Sequence, residues 1–255
     1  MSRGRGVIGV MGAMPEEIDA LVPMVEGAEV VERAGRRFVR GRVGRREVMV
    51  VFSRWGKVAA ASTATELIVG HGVERIVFSG VAGALRDEVD IGDVVVARRL
   101  FQHDLDASPF FRPMEVPLLG VTGIEADQGM AGELERVAGR FVEDGGAERV
   151  WRTAGGRAGG VRMPRVLLGD VASGDRVIAS AGDRMAVAGR VPTALCVEME
   201  GAAVGQVCFE HGVPFACVRM ISDGADEGVE ESLGAVLGGV AGAYTAGIVG
   251  GWLRS

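Results

Sequence analysis

Residues 7–18 have the sequence VIGVMGAMPEEI, in which an apolar run leads directly into the start of a helix. A short apolar run that ends at a glycine, here Gly12, is typical of a buried strand in a parallel sheet. Pro15 suits the first turn of a helix, and Ile18 and Leu21 supply its first apolar side chains. The stretch therefore predicts one strand-to-helix unit of an α/β fold.

The same alternation of strand and helix recurs along the rest of the chain. Further strands are predicted at residues 47–52, 75–79, 94–97, 166–168, 193–197 and 214–220, and further helices at 58–69, 200–211 and 231–252. This alternation favours a layered α/β domain with a largely parallel sheet. No change in composition marks a boundary, so we expect residues 1–255 to form one domain. Residues 145–160, rich in Gly, Arg and Ala, are predicted to be a flexible surface loop.

The composition argues against several classes of protein. Hydrophobic residues make up 48% of the chain, which disfavours disorder, and the net charge of -6 disfavours binding to nucleic acid. Cys196, Cys208 and Cys217 are odd in number and lack the spacing of a zinc site, so we expect reduced thiols in a cytoplasmic protein. No metal ion or other cofactor is expected. Lys57 is the only lysine among 28 basic residues, which draws attention to Gly56 and Lys57.

One segment near the C-terminus is compatible with a membrane span. Residues 233–253 carry no charge and are numerous enough to cross a bilayer. They also show the spacing of small residues that occurs where membrane helices pack. Most of them are Gly and Ala, however, and a helix packed closely against a sheet has the same composition. We therefore expect a buried helix and no membrane contact.

Carboxylates follow three of the predicted strands. Glu17 follows the first strand, Glu198 and Glu200 follow the strand at 193–197, and Asp223 follows the strand at 214–220. Another strand leads into GVAGA at residues 80–84, where small residues let backbone amides approach a ligand. Ligands of open α/β sheets bind at the carboxyl ends of the strands. The sequence therefore predicts a site that contains these carboxylates.

Each of these features also has a purely structural explanation. An acid such as Glu17 in a first helical turn offsets the helix dipole, Asp223 could cap a helix, and the glycines could form a tight turn. Burying Glu198 and Glu200 without partners would be costly, however, so a function is favoured there. Paired carboxylates suit cleavage of a glycosidic bond, which needs an acid for the leaving group and a base for water. Other two-carboxylate chemistry stays open at this point.

Several short motifs occur together in a recognisable order. They are GAM with EE at residues 12–17, GKVA at 56–59, AG at 82–83 followed by GD at 92–93, SGD at 173–175, VEME at 197–200 and ISD at 221–223. In these motifs the chain resembles the 5'-methylthioadenosine/S-adenosylhomocysteine nucleosidases of the nucleoside phosphorylase superfamily. The resemblance extends to about residue 244, and the Met-Glu and Ser-Asp motifs are its most specific parts. It implies a three-layer α/β/α domain with a central mixed sheet, and a homodimeric hydrolase of methionine salvage that releases adenine.

The resemblance also implies roles for individual residues. Glu17 matches the base that activates water, Asp223 the acid that donates to adenine N7, and Glu200 the group that holds the sugar hydroxyls. A loop at residues 103–117 matches one that reaches into the partner subunit, with Phe110 and Pro117 at the matching places. The remaining implied substrate-binding positions are Met199, Ser222, Arg219, Ala82, Gly83, Val177, Ile178 and Trp55.

Three residues depart from the family pattern. Val81 replaces a serine beside the sugar, Val177 replaces an aromatic that stacks on the base, and Trp55 replaces a smaller residue of the 5'-substituent pocket. An indole at this place could fill the pocket or supply the lost stacking surface, unless it packs in the core. The reaction is therefore better defined than the 5'-substituent of the substrate.

Two other functions stay open from the sequence. A purine nucleoside phosphorylase needs cations for phosphate, commonly an arginine just before the glycine-rich segment. Phe78 and Ser79 stand there, although Arg54 and Lys57 are close in sequence. The second alternative is a nucleoside-binding sensor without catalysis, which would not need three ionisable groups.

Overall fold

The computed structural model describes residues 6–154 and 162–255, and its centre is a ten-stranded mixed sheet. The strands are β1 (Val7–Gly12), β2 (Glu26–Arg33), β3 (Arg36–Val43), β4 (Arg46–Phe52), β5 (Val73–Ala84), β6 (Val94–Gln102), β7 (Gly123–Glu125), β8 (Val166–Ser173), β9 (Ala194–Glu198) and β10 (Phe215–Asp223). The helices are α1 (Pro15–Ile18), α2 (Lys57–Thr65), α3 (Gln128–Glu143), α4 (Gly146–Thr153), α5 (Ala181–Arg190), α6 (Gly201–His211), α7 (Val229–Leu237) and α8 (Val240–Arg254).

The sheet joins two parts through β5. On one side β5 pairs in parallel with β1, which continues to β4, β3 and the edge strand β2. On the other side β5 pairs with both β9 and β10, and the order β5-β9-β8-β6-β10 returns to β5, so that these strands close into a small barrel. The short β7 pairs with β6. β5 is therefore the element that brings the strand ends of both parts together.

Helices cover both faces of the sheet, because the strands bury apolar side chains on both sides. Residues of α1, α3 and α8 share one apolar core with the sheet, including the fully buried Leu134 and Trp252. Residues of α2 and α6 share the second core, including Ala60 and Val204. This arrangement confirms the predicted α/β class with helices outside a central mixed sheet.

Several boundaries differ from those predicted. The strand predicted at 75–79 is longer than expected and includes the GVAGA segment, so the glycines do not form a tight turn: β5 continues through Ala84 and pairs Gly80 with Arg219 and Ala82 with Ile221 of β10. The expected surface loop at 145–160 contains helix α4, while its residues 155–160 lie outside the described residues. The elements β2, β3, α3 and α5 were not predicted. Their sequences are charged or alternate between polar and apolar residues, without a long apolar run.

The uncharged C-terminal segment forms two helices rather than the single one expected. α7 and α8 are separated at Gly238 and Gly239, where Gly239 has φ +115°, and the two axes bend by 58°. α8 packs against α1 and α3, and Gly242 lies so close to α1 that an added Cβ would meet the Glu16 carbonyl at 2.7 Å. Among the residues described, no single helix is long and apolar enough to span a membrane, and only this bent pair together has the required length and composition.

Candidate active site

A cavity opens where β1, β5 and β10 end and α6 begins. The predicted site residues that line this cavity are Glu17, Trp55, Ala82, Gly83, Val177, Ile178, Met199, Glu200, Ser222 and Asp223. Val81 and the predicted carboxylate Glu198 also line it, and so do Ala13, Met14, Arg176, Val197, Val229 and Leu233, which the sequence did not single out for the pocket. Residues far apart in sequence therefore form one site.

Glu17 lies at the inner wall of the cavity and is 2% exposed. Its Oε2 accepts hydrogen bonds from the amides of Ala13 at 2.5 Å and Met14 at 3.0 Å, and its Oε1 accepts one from the Val81 amide at 3.0 Å. Burial raises the pKa of this carboxyl, although the charge of Arg219 and the three amides oppose the rise. A buried, oriented carboxyl with a raised pKa is suited to act as a general base.

The glycine at position 80 permits the close approach of strand and carboxylate. An added Cβ on Gly80 would collide with both Glu17 Oε1 and Arg219 Nη1. Likewise, an added Cβ on Gly83 would lie 2.7 Å from Asp223 Oδ1. The small residues of β5 thus leave room for the carboxylates, which is why this segment is glycine-rich although it is a strand.

Glu198 and Arg219 form a buried ion pair behind the cavity. Arg219 Nη2 donates to Glu198 Oε2, and the guanidinium lies 4.1 Å from the ring centroid of Phe78. Ser173 Oγ and the amides of Glu200 and Gly201 also donate to Glu198, so this carboxylate is well supplied with partners. Arg219, given above as an implied substrate-binding position, does not line the cavity, and its contact with the site is through Glu198.

Glu200 is the first residue before α6, and its carboxylate reaches across to the start of α2. Its Oε1 accepts the Gly56 amide at 2.7 Å, and the side chain is 5% exposed. Burial and the neighbouring charge of Glu198 raise the pKa of Glu200 to about 8, against the opposing charge of Arg219. Both Glu200 and Met199 face the cavity, where a carboxylate can hold hydroxyl groups.

Asp223 ends β10 on another side of the cavity. Its Oδ2 accepts the Ser222 hydroxyl at 2.6 Å and its Oδ1 accepts the Ala225 amide at 2.8 Å. Burial raises the pKa of Asp223, although these two hydrogen bonds partly oppose the rise. A carboxyl whose pKa is raised by burial can hold a proton and donate it to a leaving group.

The remaining lining is largely apolar and includes two of the departures from the family pattern. Trp55 is 51% exposed and Val177 is 42% exposed, and both line the cavity. The alternative that Trp55 packs in the core is therefore wrong. Phe110 and Pro117 do not line the cavity of this chain, and Phe110 is 87% exposed.

The cations near the cavity are engaged by other protein groups. Arg54 donates to the Gly35 carbonyl at 2.7 Å, Lys57 Nζ to Asp104 at 2.6 Å, and Arg176 to Asp183 at 2.6 Å. Ser79, where a phosphorylase would place an arginine, instead shares a buried hydrogen bond of 2.8 Å with Thr245. This arrangement disfavours a phosphate site. Within residues 6–154 and 162–255, no three His, Cys, Asp or Glu side chains are grouped as they would be to hold a metal ion.

Comparison with known proteins agrees with this geometry. The sequence profile described as "Phosphorylase superfamily" matches residues 7–241. Aminodeoxyfutalosine nucleosidase of Helicobacter pylori strain J99 is 33% identical over 221 residues, which cover 86% of each chain. The 5'-methylthioadenosine/S-adenosylhomocysteine nucleosidase of Shewanella halifaxensis is 32% identical over 219 residues, again 86% of each chain.

A solved structure shows the same fold. The chain superimposes with a TM-score of 0.84 and 27% identity on the 5'-methylthioadenosine/S-adenosylhomocysteine nucleosidase of Neisseria meningitidis in complex with methylthio-immucillin-A, covering 98% of this chain and 99% of the other. Directly before Gly80 the chain has Phe78 and Ser79 and no arginine. The chain belongs to the phosphorylase superfamily, and within it to the nucleosidases.

Proposed function

We propose that this nucleosidase cleaves the N-glycosidic bond of 5'-substituted adenine nucleosides with water, and that Glu17, Glu200 and Asp223 carry the reaction. The proposal depends on one observation above all. Three carboxyl groups, each at most 5% exposed, line the same cavity from three different strand ends. Such groups are costly to bury, and binding alone does not require all three of them. This disfavours the alternative of a sensor without catalysis.

In the proposed reaction each carboxyl group has a separate role. Glu17 as a carboxylate takes a proton from water, whose oxygen forms a bond to C1' of the sugar while the bond from C1' to N9 of adenine breaks. Asp223 donates its proton to N7 of the leaving adenine. Glu200 accepts hydrogen bonds from the sugar hydroxyls, with Met199 beside it. The products are adenine and the free sugar.

The identity of the 5'-substituent is proposed from the relatives and the cavity lining. The relatives act, by their names, on aminodeoxyfutalosine or on methylthioadenosine and adenosylhomocysteine. These nucleosides differ at the 5' position. The apolar residues Trp55, Val177, Leu233 and Val229 offer an apolar surface in the cavity. We therefore expect an adenine nucleoside with an apolar or bulky 5' group, and a role in methionine salvage if that group is methylthio.

We further propose a homodimer in which residues 103–117 of one subunit cover the cavity of the other. The loop is tied to its own chain where Val116 is buried, yet Phe110 projects with 87% exposure. A large exposed apolar side chain favours a protein contact. The alternative is a loop that folds onto its own subunit. A cytoplasmic location also stays a prediction, to which the three free, buried cysteines add support.

Adenine release in the presence and absence of phosphate tests the proposed reaction. Purified protein is incubated with 5'-methylthioadenosine, S-adenosylhomocysteine or adenosine, and adenine and sugar products are separated. We expect adenine release at the same rate in both buffers, with the free sugar as product. Strict dependence on phosphate with formation of a sugar 1-phosphate would refute hydrolysis, and tight binding of nucleosides without any release would favour the sensor.

A further inference from the structure

The only lysine of the chain lies at the junction of three segments beside the cavity. Lys57 Nζ is 2.6 Å from Asp104 Oδ1 and 3.9 Å from Asp175 Oδ2, and its side chain is 16% exposed. The two acids are also joined to each other, because the Asp175 amide donates to Asp104 Oδ2 at 2.8 Å. We call Lys57, Asp104 and Asp175 the lysine cluster.

The backbone at the start of α2 connects this cluster to Glu200. The amide of Gly56 donates to Glu200 Oε1 at 2.7 Å, and the next amide, that of Lys57, donates to Asp175 Oδ1 at 2.7 Å. Gly56 has φ +92°, and an added Cβ would lie 3.1 Å from Asp175 Oδ1. Two successive amides thus bind one carboxylate inside the cavity and one outside it, so that displacement of one amide displaces the other.

The two acids belong to segments that border the cavity. Asp175 is followed directly by Arg176, Val177 and Ile178, which line the cavity. Asp104 lies at the start of the loop at 103–117. Burial opposes the ionisation of Asp104, but the hydrogen bonds from Lys57 Nζ and the Asp175 amide outweigh it and lower the pKa of Asp104. Asp104 therefore stays charged at neutral pH, and its contacts with Lys57 and Asp175 tie the three segments together.

We propose that Lys57 is a positioning residue, whose contacts with Asp104 and Asp175 hold the Gly56 amide against Glu200 and fix the segment that lines the cavity at Val177. Nothing in the cluster touches the reacting atoms in this scheme. Lys57 acts through Gly56 and Glu200. The inference rests on the proposed function, because Glu200 is the group proposed to hold the sugar.

The protonation of Glu200 makes this role measurable. Glu198, Glu17 and Arg219 are the charged groups that face it, and the two acids oppose its ionisation while Arg219 favours it. In the described part of the chain, the Gly56 amide is the hydrogen-bond donor that supports the charged form of its carboxylate. Loss of this bond should disfavour the carboxylate of Glu200 and move to higher pH its part of the acid limb of kcat/KM, a limb to which the proposed base Glu17 also contributes.

Two variants that change the charge in opposite directions distinguish positioning of the Gly56 amide from a direct effect of charge on Glu200. Lys57→Met removes a positive charge, and Asp104→Asn removes a negative one while keeping Lys57. If the cluster acts by positioning Gly56, both variants should move the acid limb to higher pH. Both should also lower kcat/KM by about 10–100-fold, since a small displacement of a catalytic group has such effects. A purely Coulombic effect would move the limb upward in Lys57→Met and downward in Asp104→Asn. Opposite shifts, or an unchanged limb in Asp104→Asn, would overturn the proposal.

Two further variants serve as controls. Lys57→Arg keeps the charge and should recover much of the activity and of the pH profile. Asp87→Asn breaks a more exposed ion pair with Arg184, 2.7 Å long, whose residues do not line the cavity, and it should leave both quantities unchanged. Thermal unfolding of every variant shows whether a loss of rate reflects a loss of fold, and if Lys57→Met is unstable, Asp104→Asn still decides between the two explanations.

A second readout does not depend on turnover. Growth with ¹⁵N-lysine labels a single backbone amide, that of Lys57. Its resonance should titrate with Glu200 in the native protein, stop doing so in Glu200→Gln, and shift upfield in Asp104→Asn as the bond to Asp175 weakens. A resonance insensitive to both changes would overturn the cluster's role. A native protein that releases adenine from no nucleoside, yet shows the expected resonance, would instead refute the proposed function alone.

Discussion

Glu17 Oε1 accepts the backbone amide of Val81 at 3.0 Å, although 64 residues separate the two in sequence. The bond is possible because β1 and β5 are parallel neighbours, so the helix after β1 begins beside the last residues of β5. Val81 replaces the serine of the family pattern, but it is the main chain that supports Glu17. The replacement therefore alters the lining of the cavity beside the sugar without removing the contact that holds the proposed base.

Replacing Glu17 by Gln should remove base catalysis. The amide keeps the shape of the carboxylate but cannot accept a proton, so we expect kcat to fall about 10²–10⁴-fold, as for other general bases. Glu16→Gln is the matched control, because Glu16 is adjacent and exposed. Steady-state rates of adenine release measure both. Equal rates for Glu17→Gln and the native protein would remove Glu17 from the mechanism.

Asp223→Asn should slow departure of the base. An asparagine can still accept the Ser222 hydroxyl but has no acidic proton for N7, so a fall of about 10²–10⁴-fold in kcat is expected. A nucleoside with a better leaving group should recover part of the lost rate in Asp223→Asn and little in Glu17→Gln. Glu230→Gln, an exposed acid of α7, is the control. If the better leaving group helps both variants equally, Asp223 is not the acid.

The sequence predicts the carboxylates better than it predicts what surrounds them. Glu17, Glu200 and Asp223 stand next to apolar strands, and the position of strand ends in an α/β sheet brings them together. Hydrophobic periodicity could not show that β5 continues through Ala84, because Gly80 and Gly83 interrupt the apolar pattern. Glycine is required at these positions, since a side chain would collide with the nearby carboxylates. Nor could periodicity find Leu233 in the cavity, since the orientation of α7 depends on the bend before α8.

The pKa of Glu200 should make the stability of the protein depend on pH. In the folded protein the pKa of Glu200 is about 8, above the ordinary value of 4.5 for this group, so the folded state holds the proton more tightly. The associated stabilisation is complete below the unfolded pKa and is lost as the pH rises through the folded pKa. Each pKa unit corresponds to about 1.4 kcal/mol. Glu200→Gln lacks this dependence on pH. Its free energy of unfolding, relative to that of the native protein, should therefore rise by a few kcal/mol between about pH 5 and pH 8.5. Urea unfolding at the two pH values measures the difference, and a constant difference would contradict the raised pKa.

Phe110 should contribute to association between two copies of the chain. Because its side chain is 87% exposed in one subunit, Phe110→Ser should leave the subunit folded while weakening the proposed dimer. Sedimentation and kcat/KM are measured over a range of protein concentrations, with Met185→Ser as a control at another exposed apolar position. We expect loss of dimer and loss of activity to coincide. A native protein that is monomeric and fully active at micromolar concentration would refute the shared site.

Trp55 should determine which 5'-substituent the enzyme prefers. The indole lines the cavity and is half exposed, so it offers a surface to the substrate rather than to the core. Either it fills the space of an alkylthio group and favours small 5' groups, or it replaces the stacking surface that Val177 lacks. Aromatic contacts of the second kind contribute about 0.5–1.5 kcal/mol beyond burial.

Substrates with 5'-hydroxyl, 5'-deoxy, 5'-methylthio and homocysteinyl groups separate these two roles when they are compared in the native protein and in Trp55→Ile. If the indole fills the 5' pocket, the variant should gain kcat/KM for the larger groups relative to the smaller, by about 10–200-fold as for other changes of pocket size. If it stacks on the base, all four substrates should lose kcat/KM by a similar factor, and Val177→Phe combined with Trp55→Ile should restore it. A variant with native rates and the native order of substrates would show that Trp55 does neither.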